Sequence, residues 1–146
     1  MRIEWRPALA LALLAAGSAA CAHARPAAEV NVLKTQEWRG MRGGPQEPGT
    51  ALATDAGGWN MIWRRVSQEP PPLDLGQFVG VAVYLGQRPT GGWHADIAAQ
   101  QRGDDLIVRW KIVRPMGFVT QVLTTPWEVQ TFPRPKGKLI LEAAPE

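Results

Sequence analysis

Phe78-Val79-Gly80-Val81-Ala82-Val83-Tyr84-Leu85 is the stretch on which the fold turns. It is almost continuously apolar and rich in β-branched valine, the composition of a strand and too short a run for a helix of ordinary length. Gly80 and Ala82 share one side and the valines the other, so neither side is polar. A strand with no polar side is expected in the centre of a sheet, covered on both faces.

Working outward, Trp93 to Ala99 alternates Trp93, Ala95 and Ile97 against His94 and Asp96, the period-2 pattern of a half-buried strand. Leu106, Val108, Trp110 and Ile112 form one face of a longer strand whose other face carries Arg109 and Lys111. Asp104 and Asp105 make the turn before it. Phe118 to Thr124, Trp127 to Phe132 and Leu139 to Leu141 read as further strands, and Val30 to Thr35 as an earlier one. The Gly-rich and Pro-rich stretch from Gly40 to Gly49 reads as a loop. Thr54 or Asp55 can cap a short helix on which Trp59, Ile62, Trp63 and Val66 form one stripe. Gly57 and Gly58 weaken its first turn, so burial of the two indoles must hold it. Pro70, Pro71 and Pro72 are expected to end the helix and to act as a stiff spacer. Trp59, Trp63 and Trp110 are expected to pin the helix to the sheet. The whole predicts a mainly β fold with one short helix, an antiparallel sheet curled into a small sandwich or half-barrel. No helical crossover separates the later strands, which argues against parallel βαβ winding.

The chain has 146 residues, 45% hydrophobic and 20% charged, with thirteen prolines and fifteen glycines. That composition fits a folded chain with many turns. The formal net charge is +3, and the basic residues are dispersed, so no nucleic-acid partner is expected. Arg2 and Arg6 precede an apolar run from Ala8 to Ala16 and an Ala22-His23-Ala24 sequence, the layout of a secretory signal peptide over residues 1–24. The apolar run is too short to span a bilayer. Cys21, the one cysteine, follows Ser18, Ala19 and Ala20, as the lipidated cysteine of bacterial lipoproteins follows small residues. Serine at position 18 departs from the aliphatic residue usual there. Two outcomes are therefore open: a periplasmic or secreted protein cut after Ala24, or one lipid-anchored in the envelope at Cys21. Any membrane association is expected through that anchor alone. Residues 25–36 read as linker and first strand, and 37–143 as one β domain.

One turn stands out: Gly86-Gln87-Arg88-Pro89-Thr90-Gly91-Gly92-Trp93, between two strands. Pro89 fixes one backbone dihedral and the glycines open left-handed conformations. Its ordinary use is a hairpin connection with Trp93 as the first core residue. Its functional use is a rigid exposed loop offering backbone amides, an exposed Arg88 and an indole edge to a protein partner, with Arg88, Pro89, Thr90, Gly91, Gly92 and Trp93 as the candidate binding residues.

From about Glu37 to Leu141 the chain resembles the C-terminal domain of the PrcB protease-complex subunit family. The resemblance rests on the Trp59 to Trp63 helix and the Pro71-Pro72-Leu73-Asp74-Leu75 spacer. It also rests on Tyr84-Leu85-Gly86-Gln87-Arg88-Pro89-Thr90-Gly91-Gly92-Trp93 and on Thr120-Gln121-Val122-Leu123-Thr124-Thr125-Pro126-Trp127. Tryptophan stands at 93 and 127 where the family usually has tyrosine. The resemblance implies an exported domain, often lipid-anchored, that assists a surface protease complex, so a secreted or surface protease is the implied class of partner. The Pro89 to Trp93 loop also resembles the recognition loop of chagasin-type protease inhibitors, with Arg88 in place of an asparagine and Gly91 in place of a second threonine.

No enzyme is expected. After Ala24 the chain holds one serine, Ser67, and one histidine, His94, far apart in sequence. No Gly-rich loop opens a helix, and no cysteine and histidine cluster could hold zinc, so no metal and no cofactor is expected. Asp96 shares a strand face with His94, which a solvated polar face also explains.

Overall fold

The computed structural model describes residues 28–145. The leader at 1–24 and Cys21 lie outside the described residues. Those described form eight strands and one helix: β1 (Glu29–Val32), β2 (Gln36–Gly40), β3 (Gly49–Ala53), α1 (Ala56–Arg65), β4 (Phe78–Tyr84), β5 (His94–Arg102), β6 (Asp105–Val113), β7 (Trp127–Pro133) and β8 (Leu139–Ala143). They make two four-stranded sheets, in the orders β1-β5-β6-β8 and β2-β7-β4-β3. The result is the sandwich and not the half-barrel. Neighbours run antiparallel except β6 and β8, which pair in parallel from Leu106↔Leu139 to Trp110↔Ala143.

β4 lies inside its sheet, between β3 and β7. Val79 and Val81 meet Ala99, Leu106, Val108 and Phe132 between the sheets, and Val83 meets Leu85 and Ala95. Ala82 and Tyr84 point the other way, into a cluster with Trp59, Ile62, Trp63 and Val66 of the helical segment. The small side of β4 is small because an indole rests on it. A methyl group at Gly80 would stand 2.6 Å from the Trp59 ring, closer than nonbonded carbons tolerate.

Asp55 caps α1, its Oδ1 accepting from the Gly58 amide at 2.8 Å. The prolines do not end the helix. It stops earlier, where Ser67 adopts a left-handed φ of 55°. The Ser67 amide then donates to the Arg64 carbonyl and the Gln68 amide to the Trp63 carbonyl, each at 3.1 Å, closing the last turn on itself. The prolines serve differently: the Pro71 carbonyl accepts from Trp59 Nε1 at 2.9 Å. Trp110 does not pin the helix either, because it packs in the inter-sheet cluster with Val83 and Ala95. Trp38 and Trp127 join Trp59 and Trp63 instead, with ring centroids 5.4 to 5.8 Å apart in edge-to-face pairs.

Two expected strands change. The strand read as Val30 to Thr35 ends at Val32, and a separate strand, β2, begins at Gln36 on the other sheet. Phe118 to Thr124 forms no strand, and only Thr124 makes a bridge, to Arg88. Pro115 cannot donate to a ladder and Gly117 turns through φ +81°, so the chain leaves its sheet there.

Trp63 is 1% exposed. Its replacement by alanine is expected to cost about 3 to 5 kcal/mol, out of about 5 to 15 for a domain of this size. A denaturation midpoint for Trp63→Ala near that of wild type would contradict the packing of α1. Ser67→Gly should act oppositely, raising stability by about 0.5 to 1 kcal/mol, because the left-handed penalty of about 1 to 2 outweighs glycine's added entropy cost of about 0.5 to 1. A lower midpoint for that variant would contradict the role given to Ser67.

Candidate functional site

One end of the sandwich is built by two loops, residues 85–93 between β4 and β5 and residues 114–126 between β6 and β7. They are laced together. The Arg88 amide donates to the Thr124 carbonyl at 2.8 Å, and the Thr124 amide returns a bond at 2.9 Å. Gly91 donates to the Thr120 carbonyl at 2.9 Å, and Thr124 Oγ1 to the Thr90 carbonyl at 2.8 Å. Gly92, at φ +83°, sits so close to Pro115 that a Cβ would stand 2.7 Å from the proline Cβ. Glycine is required there on both counts.

The six candidate residues thus share one rigid loop, but they are not equally presented. Pro89 and Gly92 are exposed, Arg88, Thr90 and Trp93 half-buried, and Gly91 buried. Trp93 Nε1 donates to Thr90 Oγ1 at 3.1 Å. The Arg88 guanidinium lies 4.7 Å from the Trp93 ring centroid, and that of Arg114 lies at 5.7 Å. These are cation–π distances, worth about 0.5 to 1 kcal/mol at exposed sites. Arg88 Nε is buried with no hydrogen-bond partner among the described residues. Two details of the expectation are therefore corrected. The Arg88 and Gly91 amides are consumed inside the protein, and Arg88 is a stacked, partly buried side chain.

The second loop supplies what sequence reading missed. Met116 is 95% exposed and Phe118 110%, and Leu123 is also exposed. Phe118 and Leu123 fall in the stretch expected to be a strand. The local signals against one were Pro115 and Gly117, which bracket Met116. Large apolar side chains clustered in the open are uncommon on proteins without a partner surface.

Beside this end the two sheets part into a hollow of about 340 Å³, lined by Arg39, Met41, Leu85, Trp93, Trp127 and Glu128, among others. Small Ala95 leaves the room. Glu128 and Gln130 alternate with Val129 and Thr131 along β7, so they share the inter-sheet face with Phe132. Glu128 is only 4% exposed and Gln130 2%. Burial pushes the Glu128 carboxyl above the usual carboxylate range. The 2.7 Å bond from Gln130 Nε2 opposes that, Glu37 adds to it, and Arg39 and Lys34 reduce it. Arg39 and Lys34 are both paired with Glu37.

Elsewhere, His94 and Asp96 do not pair. The imidazole Nδ1 lies 3.4 Å from the Gly92 carbonyl, and Asp96 lies 3.5 Å from the Lys111 ammonium. Ser67 ends α1, away from His94 on β5. Among the described residues there is no cluster of three or more metal-ligating side chains, and no helix long and apolar enough to cross a membrane.

The fold and site define a small two-layer β-sandwich with one helix and a rigid two-loop end. Residues 80–133 match the family model described as PrcB C-terminal, in agreement with the resemblance read from the sequence. The match runs from β4 into β7 and includes both loops, whereas α1 and the proline spacer precede it. No curated protein and no solved structure matches the chain.

Glu128 gives a pH prediction. Its folded-state pKa is raised, so its full contribution to stability holds below the unfolded value of about 4.3 and is lost as pH rises through the folded value. Glu128→Gln removes that loss. The midpoint difference, variant minus wild type, should be more positive at pH 7 than at pH 4, and a difference independent of pH would contradict it.

Proposed function

We propose that this chain is an exported, non-catalytic binding domain, an accessory or stabilising subunit of an envelope protein complex, and of a protease complex in the setting the PrcB C-terminal match points to. The observation that carries this reading is the exposed apolar group Met116, Phe118 and Leu123 on a hydrogen-bonded two-loop end, with Arg88 and Trp93 stacked beside it. Aromatic, methionine and arginine side chains are the types enriched at protein interfaces. A preformed loop also loses little freedom on binding, which leaves more of the contact energy as affinity. Export rests on the Arg2, Arg6 and Ala-Leu pattern, with either a soluble product or a lipid anchor at Cys21.

Phe118 decides this more cleanly than Arg88, since its side chain packs on nothing whereas Arg88 supports Trp93. The double variant Met116→Ser, Phe118→Ser is expected to keep the thermal midpoint within error. It should weaken binding of the protein co-purifying with the mature wild type from envelope extract at least about tenfold, the scale of lost interface anchors. Undiminished binding would remove this end as the contact surface. Stoichiometric block of a papain-like or subtilisin-like protease by wild type would replace the accessory reading with the inhibitor one.

A further inference from the structure

The floor of the hollow is chemically at odds with its place. The inter-sheet face of β7 should be apolar, yet it carries Glu128 and Gln130, nine-tenths or more buried. Gln130 turns its Nε2 donor to Glu128 Oε1 and leaves its own Oε1 buried without a partner. Such an unsatisfied acceptor costs about 1 to 3 kcal/mol, so the amide is committed to holding the carboxyl. Among the described residues no cation lies within ion-pair distance of Glu128: Arg39, opposite it across β2 and β7 and itself lining the hollow, is drawn to Glu37 on the edge strand, as is Lys34. His94 also lines the hollow, at its rim. A carboxyl that is buried, oriented by an amide and lacking a counter-ion is a strong acceptor waiting for a cation.

The walls define the rest of the ligand. Leu85, Trp93, Ala95 and Trp127 are apolar, and about 340 Å³ is at the lower end of ligand-pocket size, room for a single long side chain. Gly92 and Trp93 line both the hollow and the two-loop end, so a protein seated on that end lies over the mouth. We propose that the hollow receives a basic side chain, lysine or arginine, of the partner protein, its aliphatic stem against Leu85, Trp93 and Ala95 and its cationic head on Glu128, with Gln130 as a positioning residue. The proposal rests on the protein-binding reading and names the partner's chemistry at that surface. Long basic side chains suit such a place because the stem buries apolar area while the head keeps an ionic contact.

The test titrates isotope-labelled protein with acetylated, amidated Ala-Ala-Lys-Ala-Ala, followed by the indole N–H signal of Trp93. The same peptide with arginine and with norleucine at the centre forms the other arms. The lysine or arginine peptide should shift that signal saturably and bind at least about tenfold tighter than the norleucine peptide, the scale of one hydrogen bond to a charged group. Glu128→Gln should abolish that preference. Equal binding of norleucine, no saturable shift, or a preference retained in Glu128→Gln would overturn the proposal. The wild-type comparison of peptides stands even where a variant fails to fold. Partner binding separates the two readings. If it survives Glu128→Gln but not the Met116 and Phe118 substitutions, the hollow has no role in recognition and the accessory reading stands. If wild type binds no partner, the accessory reading falls and the peptides alone judge the hollow.

Discussion

The edge-to-face cluster of Trp38, Trp59, Trp63 and Trp127 is the contact on which the rest depends. Each of its four ring pairs adds about 0.5 to 1.5 kcal/mol beyond simple burial. It joins the edge strand β2, the helix α1 and the inner strand β7 on the outer face of one sheet, so a helix with two glycines in its first turn persists. Two of its indole N–H groups and the neighbouring Tyr84 are tied as well, whereas Trp63 Nε1 is buried with no partner among the described residues. Trp59 donates to the Pro71 carbonyl, Trp127 to the Arg42 carbonyl at 2.9 Å, and the Tyr84 hydroxyl to the Ile62 carbonyl at 3.0 Å. Burial pushes the Tyr84 phenol up to about 12, so the hydroxyl keeps its proton and its donor role at neutral pH.

That cluster also reaches the two-loop end. Trp127 opens β7 immediately after the loop of residues 114–126, and its bond to Arg42 fixes the neighbouring segment, where Thr125 donates to Met41 and Gly44 to Thr125 at 3.1 Å. The loop carrying Met116 and Phe118 is therefore held at its far end by the core and along its length by Arg88 and Gly91. Rigidity at the site is inherited from packing on the opposite face of the same sheet.

What could be read from the sequence followed from periodicity. The two unlike sides of Phe78 to Leu85 announced a central strand, and the i, i+3, i+4 and i+7 stripe announced α1, because both patterns are local. What could not be read depended on distant partners. Nothing near Trp110 says which layer it joins, and nothing in Val30 to Thr35 says that the chain changes sheets there. Phe118 to Thr124 has strand composition, but a strand exists only where another offers a ladder. The loop at Arg88 to Trp93 was visible as a turn from its proline and glycines. Its internal use of amides was not, since Thr120 and Thr124 lie more than a whole hairpin away in sequence. Which side of the Trp127 to Phe132 strand faces inward is not a local property, and only the second sheet makes the Glu128 side the inner one.

In the proposed binding role, contact at this end runs first through the exposed apolar side chains Met116, Phe118 and Leu123. The Arg88, Gly91 and Thr124 amides are bonded across the two loops and are not offered to a partner. Apolar groups projecting from a fixed frame then supply the contact, and specificity falls to whatever charge lies beneath. Here that charge is a single inward carboxyl whose neighbouring cations are already held by Glu37. A sandwich that closed fully over β7 would bury Glu128 at a cost of several kcal/mol with no compensation. Small Ala95 on β5 lines the hollow together with Glu128, so the gap between the sheets and the carboxyl beneath it form one feature.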